Sequence, residues 1–149
     1  ADLSGANLSG AMLSQANLRR ADISGANVTN ANMNGINLRR ADLSGANLTG
    51  SILSQATLRR ADLIQTNLSG ANLRRTDLSH ADLIETDLQG ANLNEADLRG
   101  ADLNRTNLAG CNLIGANLRD ASLSGSLYDA STRFDPTFAP RSAGMQKVE

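Results

Sequence analysis

The chain has 149 residues, with 14 Lys and Arg, 15 Asp and Glu, one His and a formal net charge of −1. That length suits one domain, and so small an excess excludes a global drive onto nucleic acid or a membrane surface. A single cysteine, Cys111, excludes an internal disulfide, and no apolar run reaches the length of a membrane span.

From the first residues, "ADLSGANLSG", the chain keeps a period of five. Every fifth residue from Leu3 to Leu123 is apolar: 22 Leu, with Ile23, Val28 and Met33. Two places before each stands a small residue, usually Ala, with Ser51, Thr66, Thr76, Thr86, Thr106 and Cys111 as variants and Ile36 as the bulky exception. The residue just before each apolar centre is Asp or Asn, except at Met12, Ile52, Thr57 and Ser122. Neither regular period accommodates this. On a helix, apolar residues five apart spiral around the surface. On a flat strand, an odd spacing alternates faces. Every Leu stays inside only if the chain turns once per repeat unit. Twelve of the thirteen glycines fall two places after a centre, marking a corner. Arg20, Arg40, Gln55 and Glu85 share that slot, which predicts that a left-handed backbone is not obligatory at every corner.

Four turns close a square, so one coil takes four repeat units. The phrase "NLRRAD" at 17–22 and 37–42, and "TLRRAD" at 57–62, returns on that clock. Successive coils then pair as parallel β about 4.8 Å apart. The expected fold class is all-β, a right-handed quadrilateral parallel β-helix of about six coils. Residues 1–125 form the helix and 126–149 a C-terminal cap and tail. Cys111 and the threonines two places before a centre point inward, so Cys111 reads as a buried small hydrophobe.

Charges sum by face. The first face carries Asp2, Asp22, Asp42, Asp62, Asp82 and Asp102, which with Glu85 and Arg105 gives −6. The fourth carries Arg19, Arg39, Arg59, Arg99 and Arg119 in one column and Arg20, Arg40 and Arg60 in the next, which with Asp77, Asp97 and Asp120 gives +5. "NLRRTD" at 72–77 comes three sides after its predecessor, so Arg74 and Arg75 fall on the third face. Two readings follow. The arginines offset the stacked aspartates across the shared corner and keep the column soluble. Alternatively, Arg19, Arg20, Arg39, Arg40, Arg59 and Arg60 with Asp22, Asp42 and Asp62 form an interaction surface. Ile64 and Ile84 add a small apolar spot to the first face.

No catalytic, cofactor or metal constellation emerges. His80 reads as a solvated surface residue, the serines lack a base at fixed spacing, and one Asp per coil offers too few ligands for calcium.

The repeat A-(D/N)-L-x-x over residues 1–125 resembles the pentapeptide-repeat family. The resemblance implies a right-handed quadrilateral β-helix with the centre and the residue two before it inward. The tail, "LYDASTRFDPTFAPRSAGM" at 127–145, is similar to the aromatic, proline-bearing segment closing many cyanobacterial members. Tyr128, Phe134 and Phe138 are all the aromatic residues present. They read as a cap over the last leucine layer, with a dimerisation plug as the alternative. The first coil, with Leu3, Leu8, Leu13 and Leu18, begins in full repeat phase without such a device, so a homodimer through the N-terminal coil is one expectation and a preceding segment the other.

The expected function is a non-enzymatic structural or protein-interaction module with an unidentified protein partner, no nucleic acid and no membrane insertion. The family resemblance also implies an alternative, a DNA mimic binding a type II topoisomerase such as gyrase. That reading asks for a phosphate-like negative field, which eight arginines on one face oppose. A bacterial cytoplasm is the expected location. Because the chain begins at Ala1 rather than Met, a removed leading segment would open a lumenal or periplasmic one.

Overall fold

The computed structural model describes residues 1–149. No helix forms, and a ladder of parallel bridges joins each coil to the next: Asp2 to Asp22, Asn7 to Asn27, Met12 to Asn32, Asn17 to Asn37, and onward to Asn107 and Leu127. The bridging residue is always the one before the apolar centre.

Each side of a coil is built the same way. The Leu3 amide donates to the Asp22 carbonyl at 2.7 Å, Gly5 to Ser24 at 2.8 Å, and Asp22 back to Ala1 at 2.9 Å. The corner closes with the Ala6 amide donating to the Leu3 carbonyl at 3.0 Å, a tight β-turn. Its third residue has positive φ, the requirement of a type II turn. The centres from Leu38 to Leu108 are 0% exposed, and the small residues two before them are nearly as buried. Close approach of the chain at the inner corner is what demands a small side chain there. Where Thr replaces Ala, its hydroxyl has no water and donates instead to a carbonyl of the preceding coil: Thr66 to Leu43 at 2.8 Å, Thr86 to Leu63 at 2.6 Å and Thr106 to Leu83 at 2.6 Å.

The structure corrects the corner expectation. Every corner residue of the repeat has positive φ, including Arg20 at 59°, Arg40 at 59°, Gln55 at 58° and Glu85 at 58°. The turn closes only with a left-handed third residue, so non-glycine corners carry that strain, about 1 kcal/mol or more each. An inter-coil hydrogen bond from the corner amide holds each of them there, except at Asp120 in the last coil. No corner residue is β-branched, the class for which this conformation is least tolerable.

The tail keeps pairing but slips. Leu127 bridges to Asn107, one full coil back, whereas Arg133 bridges to Asn112, one coil and a single position further. The extra residue enters the loop held by Asp129, whose Oδ1 accepts from the Ser131 and Thr132 amides at 2.9 and 3.0 Å and from the Gly110 amide at 3.1 Å. The slip explains why a charged residue occupies the apparent centre phase. Arg133 takes the outward bridging slot, and Phe134 takes the centre above Leu113, whose amide donates to the Arg133 carbonyl at 2.7 Å. The chain then returns so that β1 (Leu127–Tyr128) and β2 (Gln146–Lys147) pair in parallel.

Candidate interaction surface

The aspartate column is more ordered than a row of solvated charges. Every Asp and Asn in the bridging slot of the repeat accepts the amide of the residue two places on through Oδ1, at 2.9 to 3.3 Å. This is an Asx turn, which ties down the amide that leads into each corner. At Asp22 and Asp42 the hydroxyls of Ser24 and Ser44 donate to the same oxygen at 2.6 Å. Asp62 accepts the Ile64 amide at 3.0 Å. In all three the second oxygen, Oδ2, accepts nothing and remains available. The signal was in the sequence: Asp and Asn alternate freely in the slot, sharing an acceptor oxygen but not a charge.

The arginine columns stand across one corner. The Arg20 amide donates to the Arg39 carbonyl at 3.0 Å, and the Arg40 amide to the Arg59 carbonyl at 3.1 Å, so the pairs 19–20, 39–40 and 59–60 stack in register. The expected offset across the corner is not formed. No carboxylate makes an ion pair with any of these six guanidinium groups. Later arginines of the repeat are all paired: Arg74 and Arg75 with Glu95, Arg99 with Asp97 at 2.6 Å, Arg105 with Glu85 at 3.0 Å and Arg119 with Asp120 at 3.6 Å. Crowding of like charge follows. The positive field of Arg60, then loss of hydration and the charge of Arg20, pull the Arg40 pKa below the ordinary guanidinium value. The Nε of Arg39 is buried and has no hydrogen-bond partner.

Ile64 and Ile84 lie half-buried beside Asp62 and Asp82 on the first face. The most exposed large apolar side chains are elsewhere, Met12 at 78% and Ile52 at 42%. Both replace Asp or Asn in the bridging slot of the third face, which is why they point outward.

His80 is exposed and lines a polar groove of about 300 Å³ with Arg59, Ser79, Arg99 and Arg119. The groove exists because Ser79 interrupts the arginine column. Cys111 is fully buried, its thiol pushed up to about 12 by burial and donating to the Leu88 carbonyl at 2.8 Å. No three His, Cys, Asp or Glu side chains come together in a way that could hold a metal ion. No helix is long and apolar enough to cross a membrane.

At the tail, Tyr128 is 8% exposed and meets Phe134 edge-on at 5.8 Å between ring centroids. Phe134 stacks on Phe138 at 5.0 Å. A groove of about 330 Å³ remains between these rings and Leu113 and Leu118. At the other end, Leu3, Leu8, Leu13 and Leu18 are only partly buried against the core.

Comparison with known proteins agrees with this architecture. Among curated proteins no sequence matches. Among solved structures, the chain is 40% identical to HetL of Nostoc sp. strain PCC 7120, a pentapeptide repeat protein involved in heterocyst differentiation regulation, with a TM-score of 0.55 over 84% of this chain and 60% of that one. A pentapeptide repeat protein of the cyanobacterium Cyanothece 51142 is 44% identical over 66% of this chain and 64% of its own, with a TM-score of 0.39. QnrB1, a plasmid-mediated fluoroquinolone resistance protein, is 24% identical over 91% of this chain and 78% of its own, with a TM-score of 0.42. The chain thus spans less than two thirds of the length of the two cyanobacterial proteins. The family profile for pentapeptide repeats matches in eight copies, over residues 1–40, 41–79, 56–94 and 91–127. With its coil-to-coil bridges and Leu-filled interior, the chain belongs to the pentapeptide-repeat family and winds as a right-handed β-helix solenoid.

Proposed function

We propose that this protein is a non-enzymatic interaction module, a rigid column of about six coils closed at residues 126–149, that presents its fourth face to a protein partner. One observation carries the reading. Within the repeat, every arginine after Arg60 has a carboxylate partner, and the six up to and including Arg60 have none. A surface kept only for solubility gains from pairing its charges locally. A surface that pairs them elsewhere and leaves one patch open is suited to an acidic partner. The rigidity of the stack adds to this, because the six guanidinium groups project from a backbone fixed rung by rung and lose little backbone freedom on binding. The likeness to HetL, a protein involved in heterocyst differentiation regulation, supports a regulatory setting for the contact.

The test is affinity capture from a cyanobacterial lysate, with the wild-type chain and with Arg39→Gln, Arg40→Gln, Arg59→Gln and Arg60→Gln combined. The expected result is a discrete protein held by the wild type, released by about 0.3 M salt and absent with the variant. Identical retention by both proteins would remove the arginine face from the reading.

A further inference from the structure

The six open arginines have neighbours of opposite sign that are equally open. Arg20 and Asp22 are separated along the chain only by Ala21, at the corner shared by the fourth and first faces. Asp22, Asp42 and Asp62 bridge one another in sequence, so their carboxylates form a ladder with the same rise as the arginines, about 4.8 Å per rung. Each holds its backbone turn with Oδ1 and leaves Oδ2 without a partner. Within the chain the two ladders do not meet.

Resting on the reading of this face as an interaction surface, we propose that the arginine ladder takes the aspartate ladder of a second copy of this chain. Pitch selects that occupant. An extended acidic peptide presents same-side carboxylates every second residue, about 6.7 Å apart. Duplex DNA carries a charge every ~1.7 Å of axis, and its phosphates would run beside the aspartate ladder and be repelled by it. A single strand would find no aromatic platform, since all three aromatic residues lie in the tail. Carboxylates at about 4.8 Å are the property of parallel strands stacked in register, and this chain carries such a stack.

Symmetry allows the contact to close. Two columns side by side, related by a two-fold axis parallel to them and next to the shared corner, place the fourth face of each beside the first face of the other. Rungs stay at equal height, so Arg19, Arg39 and Arg59 stand level with the partner's aspartates, and both ladders are used twice. Such a contact is isologous and ends at a dimer. Its strength is that of a network of exposed ion pairs, so it is weak and salt-sensitive.

Sedimentation equilibrium of the full chain tests this at about 0.02 M and about 0.3 M salt. Two variants, one neutralising the three aspartates and one neutralising four of the six arginines, each disable one ladder without touching the fold. Asp22→Asn, Asp42→Asn and Asp62→Asn keep the Oδ1 acceptor, as Asn27 and Asn47 do naturally. Arg40→Gln and Arg60→Gln place at the corners a residue that Gln55 and Gln65 show to be accepted there, and Arg39→Gln and Arg59→Gln place one position earlier the residue that Gln89 already is. The expected result is a dimer at low salt whose dissociation constant rises about tenfold or more at high salt. Each variant alone should be monomeric, and their equimolar mixture should regain part of the association, because one of the two ladders is complete. A monomer under all conditions overturns the proposal, as does a dimer indifferent to either variant. Arginine-dependent binding of a labelled single-stranded DNA of about 20 nucleotides, without self-association, assigns the face to nucleic acid and overturns it too. The capture experiment above stands or falls separately, since a foreign acidic partner needs no dimer.

Discussion

A methyl group on Gly100 would lie 2.6 Å from Nδ1 of His80, one coil earlier in the column. The imidazole ring occupies the space a side chain at the next corner would need. Gly100 also has a φ of +64°, so Gly100→Ala brings two costs, ring displacement and backbone strain. His80 is exposed and free to rotate, so strain dominates at about 1–2 kcal/mol. Urea denaturation of Gly100→Ala alone and together with His80→Ala should show nearly the same loss. Disappearance of the loss in the double variant would place the cost in the ring contact.

Adjacent positions should differ in size and in kind. Leu68 is fully buried, and Leu68→Ala should cost about 2–5 kcal/mol. Asn67→Ala should cost about 1 kcal/mol, because Oδ1 accepts the Ser69 amide at 3.0 Å and its hydroxyl at 2.8 Å. Asn67→Asp, which keeps that acceptor, should be close to neutral. Equal losses at Leu68 and Asn67 would contradict the inward register, and no loss at Asn67 would contradict the turn-holding role.

Cys111 should be silent toward thiol reagents. With its pKa pushed up to about 12 and its side chain buried, the thiolate fraction at pH 8 is negligible. A colorimetric disulfide reagent should read no thiol in the native protein and one per chain in about 6 M guanidinium. Cys111→Thr should fold and retain stability to within about 1 kcal/mol, since Thr106 makes the equivalent inward hydrogen bond. Prompt native-state labelling would mean that the coil opens near residue 111.

Acid should loosen the tail within a defined window. Hydrogen bonds from Ser131, Gly110 and Thr132 lower the Asp129 pKa from its ordinary 3.8 to about 2. A carboxylate depressed in the folded state stabilises it above the unfolded value. That contribution is lost as pH falls toward the folded value. Stability should therefore drop between about pH 4 and pH 2. Asp129→Asn, which retains an acceptor oxygen but no titration, should flatten the profile. Denaturant midpoints at pH 5, 4, 3 and 2.5 check this, and identical slopes in the two proteins would remove Asp129 as a source.

Periodicity made the column legible from the sequence, because a repeat of this length has one closed solution with every Leu inside. Summing charge by face located the arginine and aspartate columns for the same reason. The left-handed corners were less visible. Gly at some of them suggested freedom, while the telling fact was the absence of Val, Ile and Thr at all of them. The Asx turns were legible only in the free exchange of Asp and Asn in one slot, an exchange that otherwise reads as charge at one and polarity at the other. Which arginines find carboxylates depends on how long side chains lie along the surface, and register does not fix that. The slip at Arg133 is a single position, detectable only once Asn112 is known to be its partner.

Since each bridge joins a residue to its counterpart one full coil away, chain position works as a compass bearing as well as a height. Arg74 and Arg75 show the effect: displaced by one repeat unit from the column of Arg59 and Arg60, they face a different quarter and meet Glu95. Adding a whole coil would lengthen the column and leave every bearing unchanged. Adding or deleting one repeat unit would swing everything downstream by a quarter turn, setting Asp82 and Asp102 out of line with Asp62 while leaving the leucine interior intact. A single repeat gained or lost is thus nearly invisible to stability and decisive for what the surface presents, so the two properties can diverge independently along this chain.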